Sequence, residues 1–325
     1  MKATAIAPSN IAFIKYWGKK DERLRLPENG SISMNLSNLV TTTTIEFDER
    51  YAEDTLSING MESTGDTERA TKHLDRIRHM AGISTKAKVM STNSFPSGTG
   101  LSSSASGFAA LSMAAAEALH LKLSEKELSI LARQGSGSAC RSIPSGITEW
   151  LDGETSETSY AVSLFAPDYW DITDLVAVVN SGKKDVPTAE GMKRAQESPF
   201  FNLRKSRMAE KIKQIKEHIR NKDFQKFGEL IEAEALEMHA VMLTSIPSLI
   251  YWHPGTVQVM RYVKKWRSEG LPVYFTINTG QDIHLIVEDK HTDELVQLVK
   301  RIEEVKDIIL NKSSEGARLS QDHLF

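Results

Sequence analysis

The stretch Asn93-Ser94-Phe95-Pro96-Ser97-Gly98-Thr99-Gly100-Leu101-Ser102-Ser103-Ser104-Ala105-Ser106-Gly107 holds three glycines and six serines in fifteen residues, then runs into the alanine-rich segment Phe108–Leu119. Small side chains let backbone approach a ligand closely. A helix starting here presents N–H groups without intrahelical partners and its positive dipole end. That combination is a phosphate cradle. No Gly-Lys-Ser/Thr closes it, so it is not the P-loop pattern. A serine-capped linker before a helix would use the same residue types, so the loop alone does not decide.

Two further stretches are anion-friendly. Ala7–Lys20 carries Lys15, Lys19 and Lys20 with Asn10 and Tyr16. Ammonium groups there can neutralise phosphate, and a tyrosine can orient a polar ligand; a strand end with solvated lysines is the plainer alternative. Gly135-Ser136-Gly137-Ser138-Ala139-Cys140-Arg141-Ser142 is again small and hydroxyl-rich, with one arginine. A guanidinium matches a carboxylate in bidentate geometry, although a helix cap with a structural arginine would look alike.

A chain of 325 residues exceeds the size at which single cores stop growing, which predicts two lobes. Hydrophobic residues at 40% and charged ones at 26% describe an ordinary globular composition. A net charge of -3, from 40 basic and 43 acidic side chains, argues against nucleic-acid binding by charge. Cys140 is the only cysteine, so no intrachain disulfide forms, which fits a reducing compartment. Met1–Ala5 lacks the apolar run of a signal peptide and no later run could span a bilayer, so a cytoplasmic protein is expected.

Periodicity places strands at Thr41–Phe47 and Thr55–Ile58, the latter leading into an Asn59-Gly60 turn. Glu68–Ala81 reads as a helix stopped by Gly82, and Ser124-Glu125-Lys126-Glu127 as a capping box. Leu175–Val179 reads as a buried strand, and Ser181–Glu190 as the connection to a second half. There, helices are expected at Arg207–Asn221, Phe224–Leu243, Gly255–Arg267 and Thr292–Val305. Strands are expected at Val273–Ile277, Ile283–Glu288 and Asp307–Leu310.

Taken together, Asn10-Ile11-Ala12 leading to Lys15-Tyr16-Trp17-Gly18-Lys19, Asn93–Gly107, Gly135–Ser142 and Tyr274–Gly280 resemble the mevalonate diphosphate decarboxylase family. That family sits within the superfamily of galactokinase, homoserine kinase, mevalonate kinase and phosphomevalonate kinase. The resemblance covers nearly the whole chain. It implies an α+β, two-lobed fold: a ribosomal-protein-S5-domain-2-like N-terminal lobe over 1–184 and a ferredoxin-like C-terminal lobe over 185–325, with the active site in the cleft between them. It also implies a homodimer and an isoprenoid-pathway carboxy-lyase. In that reaction ATP phosphorylates the tertiary 3-hydroxyl of a mevalonate phosphate, and the new phosphate leaves as carbon dioxide departs.

Carried onto this chain, the resemblance puts Tyr16 and Lys19 on the substrate's phosphate end. Ser136, Ser138 and Arg141 take its carboxylate and phosphate oxygens, Arg141 on the carboxylate, and Thr188 also lies against substrate. Pro96, Ser97, Gly98, Gly100, Ser102, Ser103, Ser104 and Ser106 would wrap the ATP phosphates. Magnesium would bridge those phosphates, with Ser104 as its protein ligand. Lys19, Arg141 and position 278 would carry the catalysis.

Two positions depart from the family pattern. Ala189 stands where diphosphate-using bacterial members carry an arginine on the substrate's diphosphate. Losing that guanidinium removes a hydrogen bond to a charged group, worth about 1.5–3 kcal/mol. The departure points to a monophosphate substrate, as does the resemblance to phosphomevalonate decarboxylases, unless Lys193 or Arg194 supplies the charge from one turn away. Asn278 stands at the position of the family's catalytic aspartate, and an amide cannot accept the hydroxyl proton. Three explanations compete: an isosteric replacement made to trap both substrates, a divergence in which Asp282 supplies the carboxylate, or a 3-kinase without decarboxylation. A non-catalytic, ligand-binding relative and a kinase for another alcohol are further alternatives.

Overall fold

The computed structural model describes residues 1–95, 101–180, 182 and 185–325. The N-terminal lobe is built on a sheet whose long strands β1 (Lys2–Ile14) and β4 (Ser31–Phe47) pair antiparallel, with the short hairpin β2 (Lys19–Asp21) and β3 (Leu26–Pro27) between them in sequence. Then come β5 (Thr55–Ile58), β6 (Met61–Glu62), helix α1 (Thr64–Ala81) and β7 (Ala87–Asn93). The turn between β5 and β6 holds Asn59 at φ 53° and Gly60 at φ 78°, the left-handed pair expected of an Asn-Gly hairpin. Gly82 ends α1 at φ 68°.

Helices α2 (Ser103–Ala118) and α3 (Glu125–Gly135) follow, α3 opened by the Ser124/Glu127 capping box. A short 3-10 helix over Gly137–Ser142 leads to β8 (Ile147–Trp150) and β9 (Ala161–Phe165). The sheet runs β14-β1-β4-β7-β5-β6, with β8 also on β4 and β9 on β8, where β14 is Arg318–Ser320. Alanines of α2 are buried against this sheet together with Ala5, Ala7, Ile45 and Val89. Alanine's small size lets the helix lie close to β1 and β4, which brings its N-terminus near the end of β1.

The second lobe contains β10 (Ile172–Val178), α4 (Thr188–Gly191), α5 (Phe201–Arg220), α6 (Phe224–Leu243), α7 (Pro254–Ser268), β11 (Val273–Thr276), β12 (Ile283–Glu288), α8 (Thr292–Val299) and β13 (Asp307–Asn311). Its sheet order β11-β12-β10-β13, all antiparallel, is the ferredoxin-like arrangement expected.

The lobe boundary needs correcting. A division at 184/185 would cut β10 from β12 and β13, its ladder partners among the described residues, and β14 near the chain's end pairs with β1 in the first lobe. The helix expected over Thr292–Val305 stops at Val299. The lobes share a core, with Ile11 and Phe13 of β1 packed with Val176, Tyr274 and Ile286, and Phe13 edge-on to Phe227 at 4.9 Å.

Candidate active site

Strand β1 delivers its end to the junction of the lobes, and three polar side chains meet there. Arg141, from the 3-10 helix, is 4% exposed. Its guanidinium donates to Ser33 Oγ (3.0 Å), Ser31 Oγ (2.7 Å) and Asn10 Oδ1 (3.0 Å), all neutral oxygens. Among the described residues no carboxylate pairs with it, and burial pushes its basicity down. A buried cation without a counter-charge is costly. An incoming carboxylate removes that cost.

Asn278 follows β11 and ties the lobes together. Its Oδ1 accepts from Ala12 N–H (3.4 Å) and Lys15 Nζ (3.2 Å). Its Nδ2 donates to the Asn10 carbonyl (3.4 Å) and Ser102 Oγ (3.1 Å). The backbone donor at Ala12 and the backbone acceptor at Asn10 fix which way the amide points. His239 Nε2 lies 2.9 Å from the Asn278 carbonyl oxygen and so donates to it; burial holds that ring's pKa near 3, in the neutral state.

Lys15, to which the sequence reading gives no separate role, stands beside Asn278. It is 1% exposed, and its Nζ also donates to the Ala12 carbonyl at 2.6 Å. Burial lowers its pKa well below the usual lysine value, against a smaller upward pull from Glu234. Its backbone is held on both sides. Glu234 Oε1 accepts from Lys15 N–H at 3.2 Å, while Arg204 and Asn29 donate to the Lys15 carbonyl at 2.9 and 3.0 Å. Arg204 and Lys211 in turn pair with Glu234, which is fully buried. The available signal was a lysine inside the otherwise apolar run Ile11–Trp17.

Tyr16 packs edge-on against Trp150 at 4.6 Å and stands so close to Gly137 that a Cβ there would lie 2.8 Å from its ring. Its buried hydroxyl has no hydrogen-bond partner among the described residues, and burial pushes its pKa up. Lys19 pairs with Glu22 at 2.6 Å and lines a cavity of about 190 Å³ with Glu22, Lys193, Met192, Gln196 and Gly18. Ser138 presents its carbonyl to Asn10 Nδ2 at 3.3 Å. Thr188, on α4, bonds Thr279 Oγ1 at 2.7 Å beside Asn278.

The serine loop divides. Pro96, Ser97, Gly98 and Gly100 lie outside the described residues. Ser102 takes a left-handed φ of 60° and caps the entry to α2, whose first N–H groups, at Ser103 and Ser104, point out of the helix end. Ser104 Oγ accepts from Arg69 Nη2 at 3.1 Å and donates to Ser136 Oγ at 3.2 Å, linking this loop to the Gly135–Ser142 segment. Ser106 is a correction. It is fully buried, and its hydroxyl is spent on Thr41 (2.6 Å) and the Ser103 carbonyl (3.2 Å), so it braces the turn instead of facing a ligand.

These donors suit the phosphates of a nucleotide. Ser104, the expected magnesium ligand, has its hydroxyl oxygen accepting from the Arg69 guanidinium in this structure, and the described residues hold no group of three or more His, Cys, Asp or Glu side chains that could bind a metal ion. Asp282 Oδ1 accepts from Val179 N–H at 3.0 Å, tying that carboxylate to the end of β10.

The two-lobed α+β fold thus brings the N-terminus of α2, the buried Arg141 and Asn278 together where the lobes meet, the arrangement of a small-molecule enzyme with its site at a lobe junction. The chain belongs to the diphosphomevalonate decarboxylase family, which is an ATP-dependent carboxy-lyase family. The diphosphomevalonate decarboxylase-like N-terminal domain matches residues 7–161, and the mevalonate 5-diphosphate decarboxylase C-terminal domain matches residues 174–322. The chain is 34% identical to a diphosphomevalonate decarboxylase of Candida albicans over 91% of this chain and 87% of that one. It is also 34% identical to a phosphomevalonate decarboxylase of Haloferax volcanii, over 92% of each. Among solved structures, it resembles MDDEF in complex with MVAPP, AMPPCP and magnesium, with a TM-score of 0.93, 39% identity and coverage of 98% and 99%. No helix among the described residues is long and apolar enough to cross a membrane.

Proposed function

We propose that the chain binds mevalonate 5-phosphate and ATP in this cleft, phosphorylates the 3-hydroxyl, and releases phosphate and carbon dioxide to leave isopentenyl phosphate. The observation that carries the reading is Arg141, a buried guanidinium surrounded by neutral oxygens and short of one anion. The substrate carboxylate fills that role. Tyr16, Lys19, Ser136 and Ser138 take the phosphate end, with the unpartnered Tyr16 hydroxyl as one donor. Ser102, Ser103, Ser104 and the N-terminus of α2 take the nucleotide phosphates, and magnesium arrives on the nucleotide. Lys15 and Asn278 hold the reacting oxygen. Asn278 positions it without accepting its proton.

The choice of one phosphate rests on Ala189, which offers no cation at the substrate's far end. The C. albicans relative is named for the diphosphate and the H. volcanii relative for the monophosphate. A second reading, with diphosphate as substrate, is favoured by Lys193, which lines the cavity beside Lys19, whereas Arg194 is engaged by Glu190 at 2.9 Å. Calorimetric titration with the two substrates decides between them, because binding does not require turnover. The monophosphate is expected to bind at least as tightly. A diphosphate bound tenfold tighter or more, about 1.4 kcal/mol, overturns the monophosphate reading.

A further inference from the structure

The tip of the β2–β3 hairpin carries an arginine that the site as described does not use. Arg25 adopts a left-handed backbone at φ 52°. That conformation costs a non-glycine residue about 1–2 kcal/mol, and such strain persists where the surroundings enforce it. Here they do. Arg133 Nε donates to the Leu24 carbonyl at 3.1 Å, Asp21 Oδ1 accepts from Leu24 N–H at 2.6 Å, and Arg25 Nε donates to the Gln134 carbonyl at 3.0 Å. The hairpin tip is therefore pinned to the end of α3, one residue before Gly135-Ser136.

No carboxylate among the described residues pairs with Arg25. Its neighbours are largely of its own sign. Burial is the main cause of the lowered basicity of Arg69, Arg76 and His73 on α1, and the Arg25 charge adds to it; at Tyr16 burial raises the pKa and Arg25 is the foremost charge opposing that rise. Asp66 offsets Arg69 at 3.6 Å, and Glu22 is committed to Lys19. The Arg69–Ser104–Ser136 bonds run along the same rim. Arg25 is pinned to Gln134, three residues before the Gly137 against which Tyr16 packs, and a cation held there without a counter-charge is stabilised when an anion binds beside it.

We propose that Arg25 is a direct ligand of the substrate's phosphate, reaching it from the end of α3 beside Gly135-Ser136. This rests on the assignment of Tyr16 and Lys19 to the phosphate end. A fork fixed through Nε leaves both Nη groups to reach phosphate oxygens. With Arg25 present, one phosphate has a guanidinium partner even though position 189 provides none.

The test compares mevalonate 5-phosphate with mevalonate, by ligand-observed NMR titration of the full chain and of Arg25→Ala and Arg25→Lys. The unaltered chain is expected to prefer the phosphorylated ligand. Arg25→Ala is expected to weaken mevalonate 5-phosphate by about tenfold or more, as for a hydrogen bond to a charged group, and to leave mevalonate within about twofold. Arg25→Lys should fall between, since it keeps charge and loses the fork. If the unaltered chain does not distinguish the two ligands, the phosphate-end assignment itself falls. If it distinguishes them and Arg25→Ala does so equally well, the assignment stands and Arg25 is not a ligand. Equal weakening of both ligands by Arg25→Ala and Arg25→Lys would assign Arg25 to scaffolding the hairpin and overturn the proposal.

Discussion

Replacing Asn278 by aspartate probes the chemistry of the cleft at one atom. The amide's two acceptor contacts, from Ala12 N–H and Lys15 Nζ, suit a carboxylate equally well. Its two donor contacts do not. An Oδ would face the Asn10 carbonyl in place of Nδ2, while Ser102 can turn its hydroxyl to donate. Two neutral bonds worth about 1 kcal/mol each are lost or reversed, against a charge-assisted bond from Lys15 worth about 1.5–3 kcal/mol. Stability should thus change by no more than about 1 kcal/mol, and the buried lysine should become more basic. The rate is where the effect lies. A positioned general base contributes about 100- to 10,000-fold, and the amide supplies none of it. Rapid-quench assays with ATP and mevalonate 5-phosphate, following carbon dioxide and 3-phosphorylated product, should show slow or absent decarboxylation in the unaltered chain. A gain of that size is expected in Asn278→Asp. Rapid decarboxylation by the unaltered chain would refute the reasoning and place the base elsewhere. Accumulation of 3-phosphorylated product would identify a 3-kinase. Silence in both proteins would favour a ligand-binding relative without catalysis.

Arg141→Lys keeps the charge and loses the fork that meets Ser31, Ser33 and Asn10; most activity should disappear while the thermal melt survives, and normal turnover would remove Arg141 from the site. Ala189→Arg should tighten the diphosphate relative to the monophosphate by about tenfold in calorimetry, in line with a charged hydrogen bond; no change would place residue 189 away from the phosphate end. Glu234→Gln keeps an acceptor for Lys15 N–H and leaves Arg204 and Lys211 without their shared charge, so a loss of about 3–5 kcal/mol is expected in denaturant unfolding. His73 and His239 are both held near pKa 3 by burial, so from about pH 6.5 down to pH 3 the unfolded chain binds protons that the folded chain refuses. Stability should fall as pH drops through that window, by at most about 1.4 kcal/mol per unit for each ring, and a flat profile between pH 7 and 5 would show that the rings protonate in the native state.

Local signals in the sequence located the elements well. The Asn59-Gly60 turn, the Gly82 stop, the Ser124 capping box and the helix Phe224–Leu243 all stand where periodicity and cap chemistry put them. What local signals do not carry is partnership. Leu175–Val179 read correctly as a buried strand, yet an apolar run does not say which sheet takes it, and β10 joined the second lobe. The same limit separates Ser104 from Ser106. Both sit in one serine cluster, and only the helical turn decides that one faces Arg69 while the other is buried against Thr41. The lysine clamp was hidden for a related reason. Glu234 lies 219 positions from Lys15, on a helix whose apolar stripe gives no hint that one carboxylate points inward at a backbone N–H.

The two buried cations of the cleft are provided for differently, and the difference bears on the chemistry. Lys15 sits within the influence of Glu234, and its own nitrogen touches two oxygens, so its environment is largely satisfied before any ligand arrives. Arg141 is hydrogen-bonded on three nitrogens and electrostatically unanswered. A carboxylate carries more charge before carbon dioxide leaves than after, so a cation upon it favours the ground state and cannot by itself hasten the loss. Only interactions stronger in the transition state do that. Under the proposed function Arg141 therefore contributes chiefly by orientation, holding the breaking bond in line with the phosphate that must depart from the neighbouring carbon. Ser31, Ser33 and Asn10 fix the fork's plane, and Asn10 extends the constraint by accepting from Asn278 through its carbonyl. One asparagine on β1 thus ties Arg141 and Asn278 into a single frame, and under the proposed function that frame keeps the carboxylate and the reacting hydroxyl in fixed relation through phosphorylation and elimination.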